Sequence, residues 1–197
     1  GLRARERKEI TVDPAEFGTF VHYILEHTAR DVCEAGGFSR VSLERTQELA
    51  MEYAGRYRRE YFAGLGERTS RQDYLLERNL QELRAVVREL GEELAQSRFQ
   101  PAGFEVQFGP GGAMPPVEIP GGAMPAQLRG FVDRLDLYER DGQTYVRVVD
   151  YKTGRKDFDY CDVLNGLGLQ MLLYLFALED HGRAYLGVSA EAAGVLY

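Results

Sequence analysis

The sequence predicts an α/β domain with a mixed central sheet, covering about residues 101 to 152 plus a terminal strand, flanked by helices from both ends of the chain. Three observations predict it. The first hundred residues carry apolar stripes at helical spacing between helix-start and helix-stop signals. Phe104-Glu105-Val106-Gln107-Phe108 alternates apolar and polar residues as a half-buried strand does. Arg129 to Lys152 reads RGFVDRLDLYERDGQTYVRVVDYK, with Asp141-Gly142 between two runs rich in Val, Leu, Tyr and Phe. That dipeptide is the strongest short-range sign of a two-residue type I′ hairpin.

Bulk properties bound the answer. The chain has 197 residues, of which 44% are hydrophobic and 28% charged, enough for one ordinary core. A single domain is expected, with a helical part at about 13–96 and a sheet core with its flanking helix at about 101–197. No run approaches the length of a membrane span, and no signal-peptide pattern stands out, so a cytoplasmic location without membrane contact is expected. Cys33 and Cys161 form neither a CxxC nor a zinc spacing and read as idle thiols in a reducing compartment. A net charge of −7 argues against a free-standing nucleic-acid binder, unless the acids cluster away from the nucleic acid or a larger assembly supplies the grip.

Residues 1 to 9 are basic and polar, the expected tail of a segment continuing upstream. Asp13-Pro14-Ala15-Glu16 is a helix start, with Asp as N-cap, Pro at the first position and Glu as reciprocal cap. Phe17, Phe20, Val21, Ile24 and Leu25 make one apolar stripe, and Gly36-Gly37 close the helix. His22 and Glu26 share a face near the stripe's edge. Two longer helices follow at about 42–63 and 70–96. The first mixes Arg45, Arg56, Arg58 and Arg59 with Tyr53, Tyr57 and Tyr61, which suits either a single-strand groove or an amphipathic surface helix. The second is a packing element laced with ion pairs.

After the 104–108 strand, PGGAMP occurs at 110–115 and again at 120–125 around Val117-Glu118-Ile119. Its Gly and Pro content predicts a mobile loop-strand-loop excursion without chemistry. Beyond the hairpin, the loop holding Lys156, Asp157 and Asp159 fails the calcium-loop pattern, which needs a Gly at its sixth position and a terminal Glu. A strongly apolar helix is expected from about 160 to 180, with Gln170 and Tyr174 one turn apart, and a last strand at Gly194-Val195-Leu196-Tyr197.

The chemistry follows from the hairpin's arithmetic. A two-residue turn at 141 and 142 sets Leu137 opposite Val146, Leu135 opposite Val148 and Asp133 opposite Asp150. On the other face it pairs Asp136 with Arg147 and Tyr138 with Tyr145. Lys152 lies on the Asp150 face. Carboxylates facing each other with Cβ atoms about 5 Å apart repel, and need a counter-charge, a shared proton or a metal ion. Oxygen ligands without thiolates suit Mg²⁺ or Mn²⁺, and a neighbouring lysine can hold a water or steady an oxyanion. That is a kit for metal-assisted phosphodiester hydrolysis.

Gly130-Phe131-Val132-Asp133-Arg134, Val149-Asp150-Tyr151-Lys152-Thr153-Gly154 and Gly168-Leu169-Gln170 through Tyr174 together resemble the PD-(D/E)xK nucleases, in the branch of RecB-type and AddAB-type helicase–nucleases. The run GLGLQMLLYLFAL is most similar to the C-terminal nuclease domain of AddB-type chains, and RARERKEI…FGTFVHYILEH to the same family's opening helix. The resemblance implies a restriction-endonuclease-like fold and a metal-dependent exodeoxyribonuclease, acting beside a helicase partner on DNA in double-strand-break repair. It implies His22, Asp133, Asp150 and the carbonyl of Tyr151 as metal ligands. Lys152 would place or activate the water, Gln170 and Tyr174 would orient water or substrate, and Glu105 would match the first-strand acid.

It also implies an iron–sulfur cluster in the full-length family member, with cysteines outside this chain, which reads as trimmed to omit them. A catalytically silent DNA-end-binding module, or an endonuclease or resolvase of the same fold, are the rival readings. No GxxxxGK(S/T) loop is present here, so a motor must lie elsewhere.

Overall fold

The computed structural model describes residues 14–62, 70–119, 126–152 and 169–197. Helix α1 (Pro14–Glu34) buries Phe20, Val21, Ile24, Leu25, Ala29 and Val32 along one stripe. The upper part of this stripe packs on Ala50 and Ala54 of α2 (Leu43–Phe62) and on Leu83 and Val87 of α3 (Ser70–Gln96). Its lower part meets Leu94 of α3, with Phe104 of strand β1 (Gln100–Phe108) packed against it, which ties the helical layer to the sheet. Each fully buried aliphatic side chain of this kind contributes about 1.5–3 kcal/mol.

Strands β2 (Val117–Ile119) and β3 (Ala126–Leu128) form a small antiparallel pair. The main sheet has the order β1, β4 (Gly130–Arg140), β5 (Gln143–Val149), β6 (Ala190–Leu196). Its first three strands are antiparallel, whereas β6 runs parallel to β5. A parallel neighbour requires a crossover, and the connection carries helices α4 (Leu169–His181) and α5 (Arg183–Leu186). Met171, Tyr174, Leu175 and Leu178 of α4 pack onto Leu135, Val146 and Val148, covering the sheet face opposite α3. The result is a mixed sheet between helical layers, the α/β class the sequence predicts.

The hairpin register is the predicted one. Leu137 pairs with Val146, Leu135 with Val148, Asp136 with Arg147 and Tyr138 with Tyr145. Asp141 (φ 52°) and Gly142 (φ 79°) both adopt positive φ, as a type I′ turn demands.

Two strands are longer than expected. β1 begins at Gln100 and passes through Pro101, which an edge strand tolerates because one of its sides needs no N–H. Its pairing with β4 shifts between Pro101 and Gly103. β6 starts at Ala190, four residues before the predicted strand. The first PGGAMP stretch is anchored, contrary to expectation. Met114 is buried, its N–H donates to the Gln107 carbonyl, and its own carbonyl accepts from Gly109 N–H.

The Asp13 cap, the second PGGAMP stretch, the loop from Thr153, Cys161 and the first turns of the 160–180 helix lie outside the described residues. Among the described residues no helix is long and apolar enough to cross a membrane.

Candidate active site

Two neighbouring strands bring two acids together, and a third follows the end of β5. Phe104 pairs with Arg134 and Val106 with Val132, so Glu105 of β1 stands opposite Asp133 of β4. On the other side the ladder of β4 with β5 ends at Arg134 and Val149, and Asp150 follows directly after β5. Helix α1 lays His22 beside these acids. Its Nδ1 lies 3.4 Å from Asp133 Oδ1, and its Nε2 donates to the Tyr151 carbonyl at 2.9 Å. One donor atom from each of His22, Glu105 and Asp133 falls within 4.8 Å of the others.

Asp150 is not in that group. Lys152 Nζ sits 2.5 Å from Asp150 Oδ2, close enough for charge pairing although not aligned as a hydrogen bond. The Asp150 N–H is fixed to the Leu196 carbonyl of β6 at 3.0 Å. Each aspartate has its own neighbouring counter-group within the chain. Asp133 takes His22 as its counter-charge, and Asp150 takes Lys152.

Because His22 faces a carboxylate at one nitrogen and a carbonyl at the other, both nitrogens favour a proton. The hydrogen bond to Asp133 raises the imidazole above its ordinary pKa, and the Tyr151 carbonyl adds to this against the opposing effect of burial. Asp133 Oδ2 accepts the Tyr151 N–H at 2.5 Å, so Tyr151 is held through both of its main-chain polar groups.

Glu105 sits at φ 48°, in the left-handed region. For a side chain bearing a Cβ this costs about 1–2 kcal/mol, a strain that concentrates at functional sites. Burial raises its carboxyl pKa, Asp133 and Glu26 add to the rise, and His22 partly offsets it.

Gln170 and Tyr174 occupy the α4 side. Tyr174 is fully buried and stacks on Phe108 with ring centroids 4.3 Å apart, while its hydroxyl accepts from Gln170 Nε2 at 3.0 Å. That hydroxyl abuts Gly130 at the start of β4, where an added Cβ would collide with it. The pair seats the strand that carries Asp133, and Gln170 is its solvent-facing member.

The sequence reading missed what lies under Tyr151. Arg134 and Asp136 are both fully buried and joined by a two-pronged ion pair at 2.7 and 3.0 Å. Arg147, read from sequence as an ordinary cross-strand partner of Asp136, bonds it at 2.7 Å and also reaches Glu93 of α3 at 2.7 Å. A signal was present: Arg134, Asp136 and Arg147 share one sheet face by the same register arithmetic, flanked by apolar residues. What could not be read is that α1 and α3 pack against that face, α3 through Leu94 and Glu93.

Carboxylate oxygens, an imidazole and a backbone carbonyl suit a hard or borderline divalent cation such as Mg²⁺ or Mn²⁺. Burial pushes the Cys33 thiol up to about 11, and its Sγ points to the Pro101 carbonyl at 3.8 Å, so it offers no competing soft ligand.

A strained acid beside an aspartate, a histidine laid across from the first helix and a D-x-K at the strand's end define a nuclease-type site. The PD-(D/E)XK nuclease superfamily model matches residues 1–197, and the chain belongs to that superfamily. Along its whole length it is 34% identical to the B chain of the ATP-dependent helicase/deoxyribonuclease of Clostridium novyi, over 200 residues that make up 18% of that protein. It is 36% identical to the protein of the same description in Symbiobacterium thermophilum, over 206 residues and 17% of its length. The counterpart in Ruminiclostridium cellulolyticum is 34% identical over 204 residues, again 17% of its length. The chain therefore spans less than a fifth of these relatives.

Proposed function

We propose that this chain is a divalent-metal-dependent deoxyribonuclease module, trimming DNA strands from an end within a helicase–nuclease that processes double-strand breaks. The observation that carries the reading is the convergence of His22, Glu105 and Asp133 within 4.8 Å at the sheet end that also bears Asp150 and Lys152. His22, Glu105, Asp133 and the Tyr151 carbonyl would hold Mg²⁺ or Mn²⁺, with Asp150 adjoining. A divalent cation supplies charge stabilisation for the phosphate and acidifies a water at neutral pH.

The chain's own groups do the rest. Lys152, 42% exposed, can hold the attacking water or the non-bridging phosphate oxygen without losing the Asp150 carboxylate that orients it. Gln170, anchored on Tyr174, would contact the substrate backbone from the α4 side. Its helicase partner and DNA substrate are inferred from the relatives' descriptions, which name both an ATP-dependent helicase and a deoxyribonuclease. The strand-end preference is the family expectation.

The test is a gel with end-labelled linear and closed circular single-stranded DNA, each with Mg²⁺ or EDTA. Mg²⁺-dependent loss of the linear strand alone supports the exonuclease reading. Cutting of the circle points to an endonuclease of the same fold, and no cutting of either to a silent DNA-binding member.

A further inference from the structure

Tyr151, the middle residue of the D-x-K, is fixed at three points. Its N–H goes to Asp133, its carbonyl takes His22, and its hydroxyl accepts from Arg134 Nη1 at 2.8 Å. The side chain leaves the Asp150 and Lys152 face and packs beside the α1–α3 core. There the Arg134 guanidinium also lies over its ring, 5.6 Å from the centroid. Burial pushes the phenol up to about 12 in spite of that cation, so the hydroxyl stays neutral and keeps its proton.

Arg134 is itself clamped. Asp136 grips it with both carboxylate oxygens, and Arg147 bridges Asp136 to Glu93 on α3. A buried ion pair of this kind adds little net stability, because desolvating the two charges offsets most of their attraction. What it adds is direction: a planar fork locked on one side presents its remaining N–H groups along fixed lines.

Resting on the nuclease reading above, we propose that Arg134 and the Tyr151 hydroxyl form a positioning unit for the metal centre. The buried fork sets the Tyr151 side chain. That side chain sets the peptide whose carbonyl faces His22 and whose neighbours are Asp150 and Lys152. Neither group touches the reacting atoms, and both act by holding the ligand peptide still, as supporting residues behind metal ligands do.

The experiment compares wild type with Tyr151→Phe, which removes one oxygen, with Arg134→Lys, which cannot reproduce the fork, and with Leu178→Ala, which weakens the core on the far side of the sheet. Each protein is titrated calorimetrically with Mn²⁺ well below its melting point and assayed for kcat and KM on linear DNA. The unit predicts that Tyr151→Phe and Arg134→Lys bind Mn²⁺ about 10-fold more weakly and lose kcat with KM near wild type. Leu178→Ala should melt earlier while keeping its Mn²⁺ affinity. Tyr151→Phe with wild-type Mn²⁺ affinity and kcat overturns the inference while leaving the nuclease reading intact. Wild type that neither binds Mn²⁺ nor cuts DNA overturns both. Should Arg134→Lys fail to fold, the Tyr151→Phe result still decides.

Discussion

Glu105 and Asp133 stand opposite each other on adjacent strands, and Glu105 holds a left-handed backbone conformation there, at φ 48°. Both its conformation and its like-charged neighbours oppose stability. Glycine adopts that φ without penalty and carries no carboxylate. Glu105→Gly should therefore stabilise the metal-free protein by about 1 kcal/mol while weakening its response to Mn²⁺. Urea unfolding with EDTA and with Mn²⁺ reads both effects. A Gly variant that is less stable without metal would show that Glu105 serves the fold.

The His22–Asp133 pair makes stability depend on pH. Asp133 raises the imidazole's folded-state pKa above the unfolded value near 6.5. A raised value means the pair's contribution is fully present below about pH 6.5 and is lost as pH climbs through the higher folded-state value. In EDTA the melting advantage of wild type over His22→Gln should be larger at about pH 6 than at about pH 8.5. An advantage that grows with pH would reverse the assigned sign.

Asp150 and Lys152 should separate binding from chemistry. Asp150→Ala removes a carboxylate next to the proposed ligand group of His22, Glu105 and Asp133, and Lys152→Ala removes the cation paired with it. Both variants should lose cleavage by at least about 100-fold, the range expected for one preorganised electrostatic group. Lys152→Ala should still take up Mn²⁺, whereas Asp150→Ala should bind it more weakly. Undiminished cutting by either variant contradicts its place in the site.

The hairpin was legible because its information is local. One Asp-Gly turn fixes the cross-strand pairs by arithmetic, and the observed ladder follows it as far as Arg134 with Val149. Glu105 was legible only as an acid on a strand. Its place opposite Asp133 depends on pairing β1 with a strand some thirty residues away through a register shift, and no local signal encodes that. The counter-charges were half visible: two nearby acids require one, yet that His22 supplies it to Asp133 depends on how α1 crosses the sheet. The burial of Arg134 could not be read, because an arginine in an alternating strand looks solvent-facing until the helical layer of α1 and α3 is known to pack on that face.

DNA binding without a partner should be weak and steeply salt-dependent, since 24 basic residues act against 31 acidic ones. Fluorescence anisotropy across a salt series measures it. Tight binding that survives about 0.3 M salt would favour a gripping module over a nuclease fed by a motor.

His22, Glu105 and Asp133 are proposed to share a divalent cation. A ligand that binds only the folded state adds about 2.7 kcal/mol at a hundredfold excess over Kd. For a domain of this size each kcal/mol raises the midpoint by roughly 2–4 °C. Without metal, Asp133→Asn should lower the midpoint slightly, since the pairing with His22 is worth about 1 kcal/mol. The measurement is a thermal melt of wild type and Asp133→Asn, each in EDTA and in millimolar Mn²⁺. A metal-dependent rise of several degrees in wild type that all but vanishes in Asp133→Asn is the predicted result. No rise in wild type, or an equal rise in the variant, contradicts it.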